Sequence, residues 1–564
     1  MKVYLRDYMA YCDGRDVVPA VQAALRDCHP GDTLYLGGGL LHLYPEHTVC
    51  RPYYVSNNDY SEKHIAFDLQ NCRDLTIDGE GTELLFHGHI TPFVLDGAEN
   101  ITIRNLHVDY RNPFYTQARI TAAGEDFTEL TFDGDTFACR LKDGKLCFYS
   151  PEDGWESMEN RVLVTEFDDT GRPSPYLGPY FTVLGTIEQD FLAGMYRYFT
   201  AEQCAEHTIR LNGRIGYTHT VGNWWVCTFG GRHNPGIFIT DSRNITLQDL
   251  ELYHTAAMGV IGQCSENITL ERVSCRVRPG SGRVLSVSAD ATHFVNCSGR
   301  ITFRDCIFTS MLDDAGNFHG IYTIVKEKTD SHTLRLGYGH FQQRGINLYR
   351  PGDRIRLVNN LTMQPYGELT VRESVLLSGE CLQLTVEEVL PDTLETGHVI
   401  ENHTRMPEVY LDHCECGNNR PRGFLLTTCK KVLVENCVFY NMNSAIECAG
   451  DANSWYESGP VTDVTIRHNH FENSAYAGGT VISICPVVKE NAGCSYHNRI
   501  TIENNHFRLH EKRFLYARHT EDLVFRNNTY TEDLTLPSHR AVGTTGMHTE
   551  ACGNAVLEEP VAVF

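Results

Sequence analysis

The chain has 564 residues, 41% of them hydrophobic, and no low-complexity tract, which suits one very large repeat domain or several ordinary ones. Its 48 Lys plus Arg stand against 72 Asp plus Glu, a formal charge of -24. That balance argues against nucleic acid or an anionic membrane surface as partner, because phosphate binding needs clustered cations; an anionic polymer such as pectate is disfavoured for the same reason.

Residues 1–20 show no basic stretch followed by an apolar run, so no export signal is read and a cytoplasmic location is expected, or a secreted or periplasmic one if the sequence is trimmed. No stretch approaches the length of a membrane span. Next, Val17 to Asp27 reads as a short amphipathic helix, with Val17, Val18, Val21, Ala24 and Leu25 on one face. Such a helix would cover the open end of a stacked-strand fold, whose bare edge invites aggregation.

From residue 74 onward the chain repeats itself. Asn100-ITIRNLHV, Asn244-ITLQDLEL, Asn267-ITLERVSC, Arg300-ITFRDCIF, Lys431-VLVENCVF, Asp463-VTIRHNHF, Arg499-ITIENNHF and Asp522-LVFRNNTY share one pattern, with Asp74-LTID as a shorter copy. The first apolar residue of each is an anchor: Leu75, Ile101, Ile245, Ile268, Ile301, Val432, Val464, Ile500 and Leu523. In the full copies apolar residues recur two and seven positions after it. The first alternation is strand periodicity. Four positions after it stands mostly Asn, Asp or His, a polar bend; five after it stands Leu, Val, Cys or Asn. Anchors advance by 23 residues (245 to 268, 500 to 523), 26 (75 to 101) or 33 (268 to 301), one coil of a right-handed parallel β-helix. A single coil cannot bury its apolar face, so the coils form one core. Of the 21 Cys, several lie in these strands (Cys264, Cys297, Cys306, Cys437) and are expected as buried reduced thiols. Cys414-x-Cys416 lacks the second half of a zinc site.

The repeat lapses twice, between anchors 101 and 245 and between 301 and 432. Residues 117–231 and 321–406 instead carry alternating strands and read as two small inserted β modules, barrel-like. The expected organisation is a cap and first coils over 1–116, the inserts, central coils over 232–320 and C-terminal coils over 407–564.

The chemistry falls in the central coils. Asp290 lies 11 before Ile301 and Asp313 lies 12 after it. With the extra length of the 33-residue coil placed in the turn near Arg278 to Arg283, Ala257, Asp290 and Asp313 fall in one stack, neighbouring rungs about 4.8 Å apart. Asp314 adjoins them, provided the chain bends near Ala315-Gly316-Asn317. Clustered carboxylates cannot all ionise freely, so one serves as acid while another stays charged, the requirement of glycoside hydrolysis. A lone Asp here would more often hold backbone amides, and an Asp pair could instead take calcium. His293, Asn317 and His319 flank the cluster as expected sugar contacts. A Gly-bounded loop, residues 450–459, adds Asp451, Asn453, Trp455 and Glu457, an aromatic face ringed by polar groups, with Glu447 nearby. Trp455 packing the loop onto the fold is an equal reading. Trp224-Trp225 read as core of the first insert.

In Tyr54-VSNNDY, Thr76-IDGEGTELLFHG, Ser288-ADATHF, Met311-LDDAGNFHG and Gly450-DANSWYESG, the chain resembles glycoside hydrolase family 110, the exo-acting α-1,3-galactosidases. The resemblance covers most of the chain. It implies a β-helix with two β-barrel inserts and an inverting hydrolase removing terminal α-1,3-linked galactose. The family's catalytic aspartates correspond to Asp290, Asp313 and Asp314, with acid and base unassigned. No metal or other cofactor is implied. The expected partner is an oligosaccharide or glycoconjugate ending in α-galactose, and a homodimer is compatible with the sequence. Two rivals stand beside this reading. One is a polygalacturonase-like hydrolase or calcium-dependent pectate lyase, which would want clustered cations such as Arg420 and Arg422. The other is a glycan-binding β-helix without catalysis.

Overall fold

The computed structural model describes residues 1–563 apart from 151–154, 176–177, 187–192, 229–230 and 536–544. The anchors stand in one parallel column, each hydrogen-bonded rung to rung from Leu75 through Ile101, Ile245, Ile268 and Ile301 to Val432, Val464, Ile500 and Leu523. All are buried in one continuous core, each contributing about 1.5–3 kcal/mol by leaving water. Val409, between Ile301 and Val432, completes the column as a further anchor that the pattern search passed over.

The polar bend has a backbone cause. Four residues after every anchor but Leu75 the chain turns left-handed: Asn105, Asp249, Arg272, Asp305, His413, Asn436, His468, Asn504 and Asn527 have φ between 52° and 57°. Asn and Asp tolerate that conformation best, because the short side chain bonds nearby backbone groups. A second strand column follows the bend, and a third sheet closes the coil from Ile237–Thr240 through Val260–Gln263, Thr292–Val295, Gly316–Ile321, Phe424–Thr427, Ile446–Cys448 and Ile482–Ile484. Along this sheet alternate side chains point inward (Phe294, Phe318, Leu426) and outward (His293, Asn317, Leu425).

The helix Val18–Asp27 caps the first coil; Asp16 Oδ1 accepts its Val18 N–H, and Val18, Ala20, Val21 and Ala24 enter the core. Thiols of Cys297, Cys306, Cys414, Cys437 and Cys448 are buried in the same core. Both inserts are closed barrels among the described residues. The first runs from Tyr115–Ala123 to Trp224–Thr228, with Trp225 in its own core. It is antiparallel except where Tyr180–Leu184 lies parallel to Tyr196–Ala205. The second runs from Thr323–Lys328 to Val399–Asn402. No described helix is long and apolar enough to cross a membrane.

Candidate active site

The turn leading into the third sheet carries the candidate aspartates. Thr292 pairs with Val260 and Gly316, and Gly316 with Phe424. Counting two back from each puts Met258, Asp290, Asp314 and Arg422 in one stack. Backbone bonds from Gly259 N to Asp290 O and from Ala291 N to Asp314 O seal the rungs. The expected stack of Ala257, Asp290 and Asp313 is therefore one residue out. The register slips between Glu266 and Ile268, where Gly299 adds a residue to the facing strand. The 33-residue anchor step thus corresponds to 32 on the opposite sheet (260 to 292). A one-residue slip changes which side chain occupies a site. The chain bends at Leu312–Asp313 and again at Ala315, the start of the expected bend, and Gly316–Ile321 is regular strand.

The three carboxyl groups do converge. One oxygen of each of Asp290, Asp313 and Asp314 lies within 4.8 Å of the others. Asp290 and Asp314 are buried, whereas the Asp313 side chain keeps 22% of its exposure and lines a cleft of about 1000 Å³. The opposite wall belongs to the first barrel, through Arg161, Leu163, Thr165 and Phe181. The spacing is tighter than the roughly 6.5–9.5 Å that separates the two carboxyl groups of an inverting glycosidase, and stacking makes Asp290 and Asp314 direct neighbours.

Three guanidiniums answer the three carboxylates. Arg422 forks Asp314, Nε to Oδ1 at 3.0 Å and Nη2 to Oδ2 at 2.8 Å; Arg232 donates to Asp313 Oδ2 at 2.6 Å; Arg420 lines the cleft beside Asp313. The guanidiniums offset much of the carboxylate charge, to which Glu447 and Glu457 add nearby. Burial, then the Asp313 charge, pushes Asp290 up to about 8. Burial raises Asp314 to about 7 against the pull of Arg422. Burial also works against Asp313, but Arg232, Arg420 and Arg422 hold its carboxyl below the ordinary value. One proton therefore resides in the deep pair near neutral pH while Asp313 stays charged.

The expected sugar contacts divide. His293 and His319 are buried and spend their ring nitrogens on protein: His293 Nδ1 lies 2.6 Å from Asp290 Oδ2, the two Nε2 atoms 2.9 Å apart, and His319 Nδ1 2.8 Å from the Gly320 carbonyl. They are not open to a sugar. Asn317 is buried on the same face, with an unpartnered Oδ1. Asp451 accepts backbone N–H groups from Asn453, Ser454 and Trp455, and Asn453 donates to the Asn360 carbonyl of the second barrel. Both hold the loop's shape, contrary to the expectation that they meet hydroxyls. Trp455 is half exposed, its ring tilted 32° against that of His340 with centroids 4.6 Å apart. Glu447 lies 3.6 Å from Arg422, and Glu457 accepts from Asn57 at 3.4 Å. Arg232 also reaches the Asn57 carbonyl, so Asn57 links it to Glu457.

Arg232 went unread because it follows the first barrel at no repeat position. Arg422 had a usable signal: once Val409 is recognised as an anchor, residue 422 falls on the rung after Asp314.

A parallel β-helix with an arginine-balanced carboxylate trio opening into a cleft defines a glycoside hydrolase of the solenoid class. The chain is 33% identical to α-1,3-galactosidase A of Bacteroides fragilis, the match covering 99% of this chain and 92% of that protein. It is 31% identical to α-1,3-galactosidase A of Shewanella woodyi over 97% and 88%, and 32% to α-1,3-galactosidase B of Bacteroides thetaiotaomicron over 96% and 88%. A family model described as GLAA-B beta-barrel domain II matches residues 333–400, within the second barrel. Among solved structures, the family 28 exopolygalacturonase of Yersinia enterocolitica aligns at 12% identity, covering all of this chain and 79% of that one, with a TM-score of 0.38. The chain belongs to the α-1,3-galactosidases, glycoside hydrolase family 110.

Proposed function

We propose that the protein is an exo-acting, inverting α-1,3-galactosidase that takes terminal galactose from an oligosaccharide or glycoconjugate, with Asp290, Asp313 and Asp314 as its catalytic groups. The observation that carries the site is the convergence of three carboxyl groups at the wall of a solvent cleft. Asp313, alone of the three in reaching that wall, is placed to meet the glycosidic oxygen. Asp290 and Asp314 stack behind it, where two carboxyl groups can grip a water from one flank. That arrangement removes the need for a wide gap between a single acid and a single base. Asp313, charged at rest, relays the proton held by Asp290 to the departing oxygen as Asp314 takes the proton of the attacking water; return of that proton from Asp314 to Asp290 restores the resting state. The link from Arg232 through Asn57 to Glu457 closes one side of the trio, which suits an enzyme that admits only a chain end.

The test is to incubate the protein with Galα1-3Gal, its fucosylated counterpart and an α-1,4 isomer, following the first-formed anomer by NMR. Release of β-galactose from α-1,3 substrates alone is expected. Initial α-galactose would replace inversion with retention, and no release from any α-1,3 substrate would remove the activity.

A further inference from the structure

His293 and His319 have no free nitrogen for a substrate, yet His293 touches the trio directly and His319 touches His293. His293 stands in Thr292–Val295 and His319 in the next rung, Gly316–Ile321, both side chains on the outward face with about 1% exposure. Their protons can be counted from their partners. The Gly320 carbonyl can only accept, so His319 Nδ1 must carry hydrogen. In a neutral ring its Nε2 is then bare and faces His293 Nε2, which must donate. A neutral His293 is thereby left with a bare Nδ1, and the only hydrogen for that contact comes from Asp290 Oδ2.

We propose that Asp290, His293 and His319 form one proton-sharing chain, anchored by the Gly320 carbonyl, that stores the trio's proton on Asp290 in the resting enzyme. The proposal rests on the reading of Asp290 as part of the catalytic trio, and it makes the two histidines positioning residues. An imidazolium at His293 would be stripped of water and would face Arg232, whereas a protonated Asp290 carries no charge to desolvate. Asp313, Asp314 and Glu457 are the remaining charged groups facing this chain. The proton can still move without changing the total. It passes from Asp290 Oδ2 to His293 Nδ1 as the His293 Nε2 proton passes to His319 Nε2. Asp290 then becomes ionised and His319 cationic, 3.7 Å from Glu457.

Two measurements test this. In the full chain carrying ¹⁵N-histidine, long-range ¹H–¹⁵N spectra at neutral pH should show hydrogen on Nδ1 of His319 and Nε2 of His293, with the other two nitrogens bare. Hydrogen on Nδ1 of His293, or either ring doubly protonated, overturns the proposal. For the second, His293→Phe removes the acceptor that favours protonated Asp290, so the alkaline limb of kcat/KM should move down by about one pH unit or more. A purely structural histidine would lower the whole profile and leave the limb in place, and an upward shift would mean Asp290 rests ionised; either result overturns the proposal. Should His293→Phe fail to fold, the spectra of the unaltered protein decide alone. Asp290→Asn separates the two ideas: full activity in that variant would remove Asp290 from the chemistry without touching the tautomers.

Discussion

The central and C-terminal coils share one backbone plan and differ in what they place at its bends. Five residues after the anchor, the stack runs Leu106, Leu250 and Val273, then Cys306, Cys414 and Cys437, then Asn469, Asn505 and Asn528. Where the residue is Leu or Val, the strands on either side of the bend run as one, as in Arg243–Leu252 and Glu266–Cys275. Where it is Cys or Asn they separate, as in Val464–Arg467 and His470–Glu472. The buried amides form a ladder: Asn505 accepts from the Asn469 backbone N–H at 3.0 Å, donates to the Ile466 carbonyl at 3.0 Å, and bonds Asn528. The central coils carry their polar groups instead at the turn into the third sheet, where Asp290, Asp314 and Arg422 stack. Polar stacking thus holds the scaffold at one end and carries the chemistry in the middle, so the two regions should fail differently when altered.

The largest effect is expected at the trio. Asp313→Asn and Asp314→Asn should each lower kcat by about 10²–10⁴-fold with an unchanged far-ultraviolet spectrum. A double variant with ordinary turnover would refute the assignment.

Asn505→Leu should do the reverse. It strands donors and acceptors on the rungs either side, each costing about 1–3 kcal/mol when buried and unpaired. A fall in melting temperature is expected, with kcat of the folded fraction unchanged, since the ladder lies rungs away from the cleft. An unaffected melting temperature would show that the amide ladder is dispensable.

How much of this division can be read from sequence depends on whether periodicity reports it. The anchors were legible because a stacked strand repeats its burial every coil. The left-handed bend was legible as Asn and Asp because few other residues tolerate it. The convergence of the aspartates was legible, but not its register, because the extra residue at Gly299 looks like ordinary loop length. The arginines were harder: Arg232 reaches Asp313 across 81 residues and Arg422 reaches Asp314 across 108, the second barrel lying inside the latter interval. Asp451 was misread because a carboxylate amid Gly, Asn and Ser suits sugar binding and amide-capping equally, and only the three backbone N–H groups it accepts distinguish them.

A subtler contrast concerns pH. Asp290 in the folded protein is raised to about 8, above the ordinary value near 3.9. The folded state therefore keeps a proton that the unfolded chain releases, and stability falls as pH rises from about 4 to about 8. Asp290→Asn cannot titrate and lacks this loss. The melting temperature of the variant relative to the unaltered protein should rise across that window and level off above it. Parallel curves from pH 5 to 9 would show that Asp290 is ionised at little cost. Changes in the C-terminal ladder, which has no titrating group, should give no such slope.

The smallest effect is expected at Trp455. One face of its ring lies against His340, and half of the side chain remains exposed, close to Glu457 and hence to the trio's neighbours. A sugar packing its apolar face on that ring would gain about 0.5–1.5 kcal/mol, so Trp455→Ala should raise KM by roughly 2- to 10-fold and leave kcat alone. The loop itself should survive, because Asp451 holds the turn through backbone N–H groups and Gln343 binds the Trp455 carbonyl, neither of which needs the indole. A lowered kcat with unchanged KM would instead tie Trp455 to the position of Glu457 and the histidine pair. An unchanged KM and kcat would return the ring to a packing role and leave the wall of the first barrel, through Phe181 and Arg161, as the surface that grips the substrate.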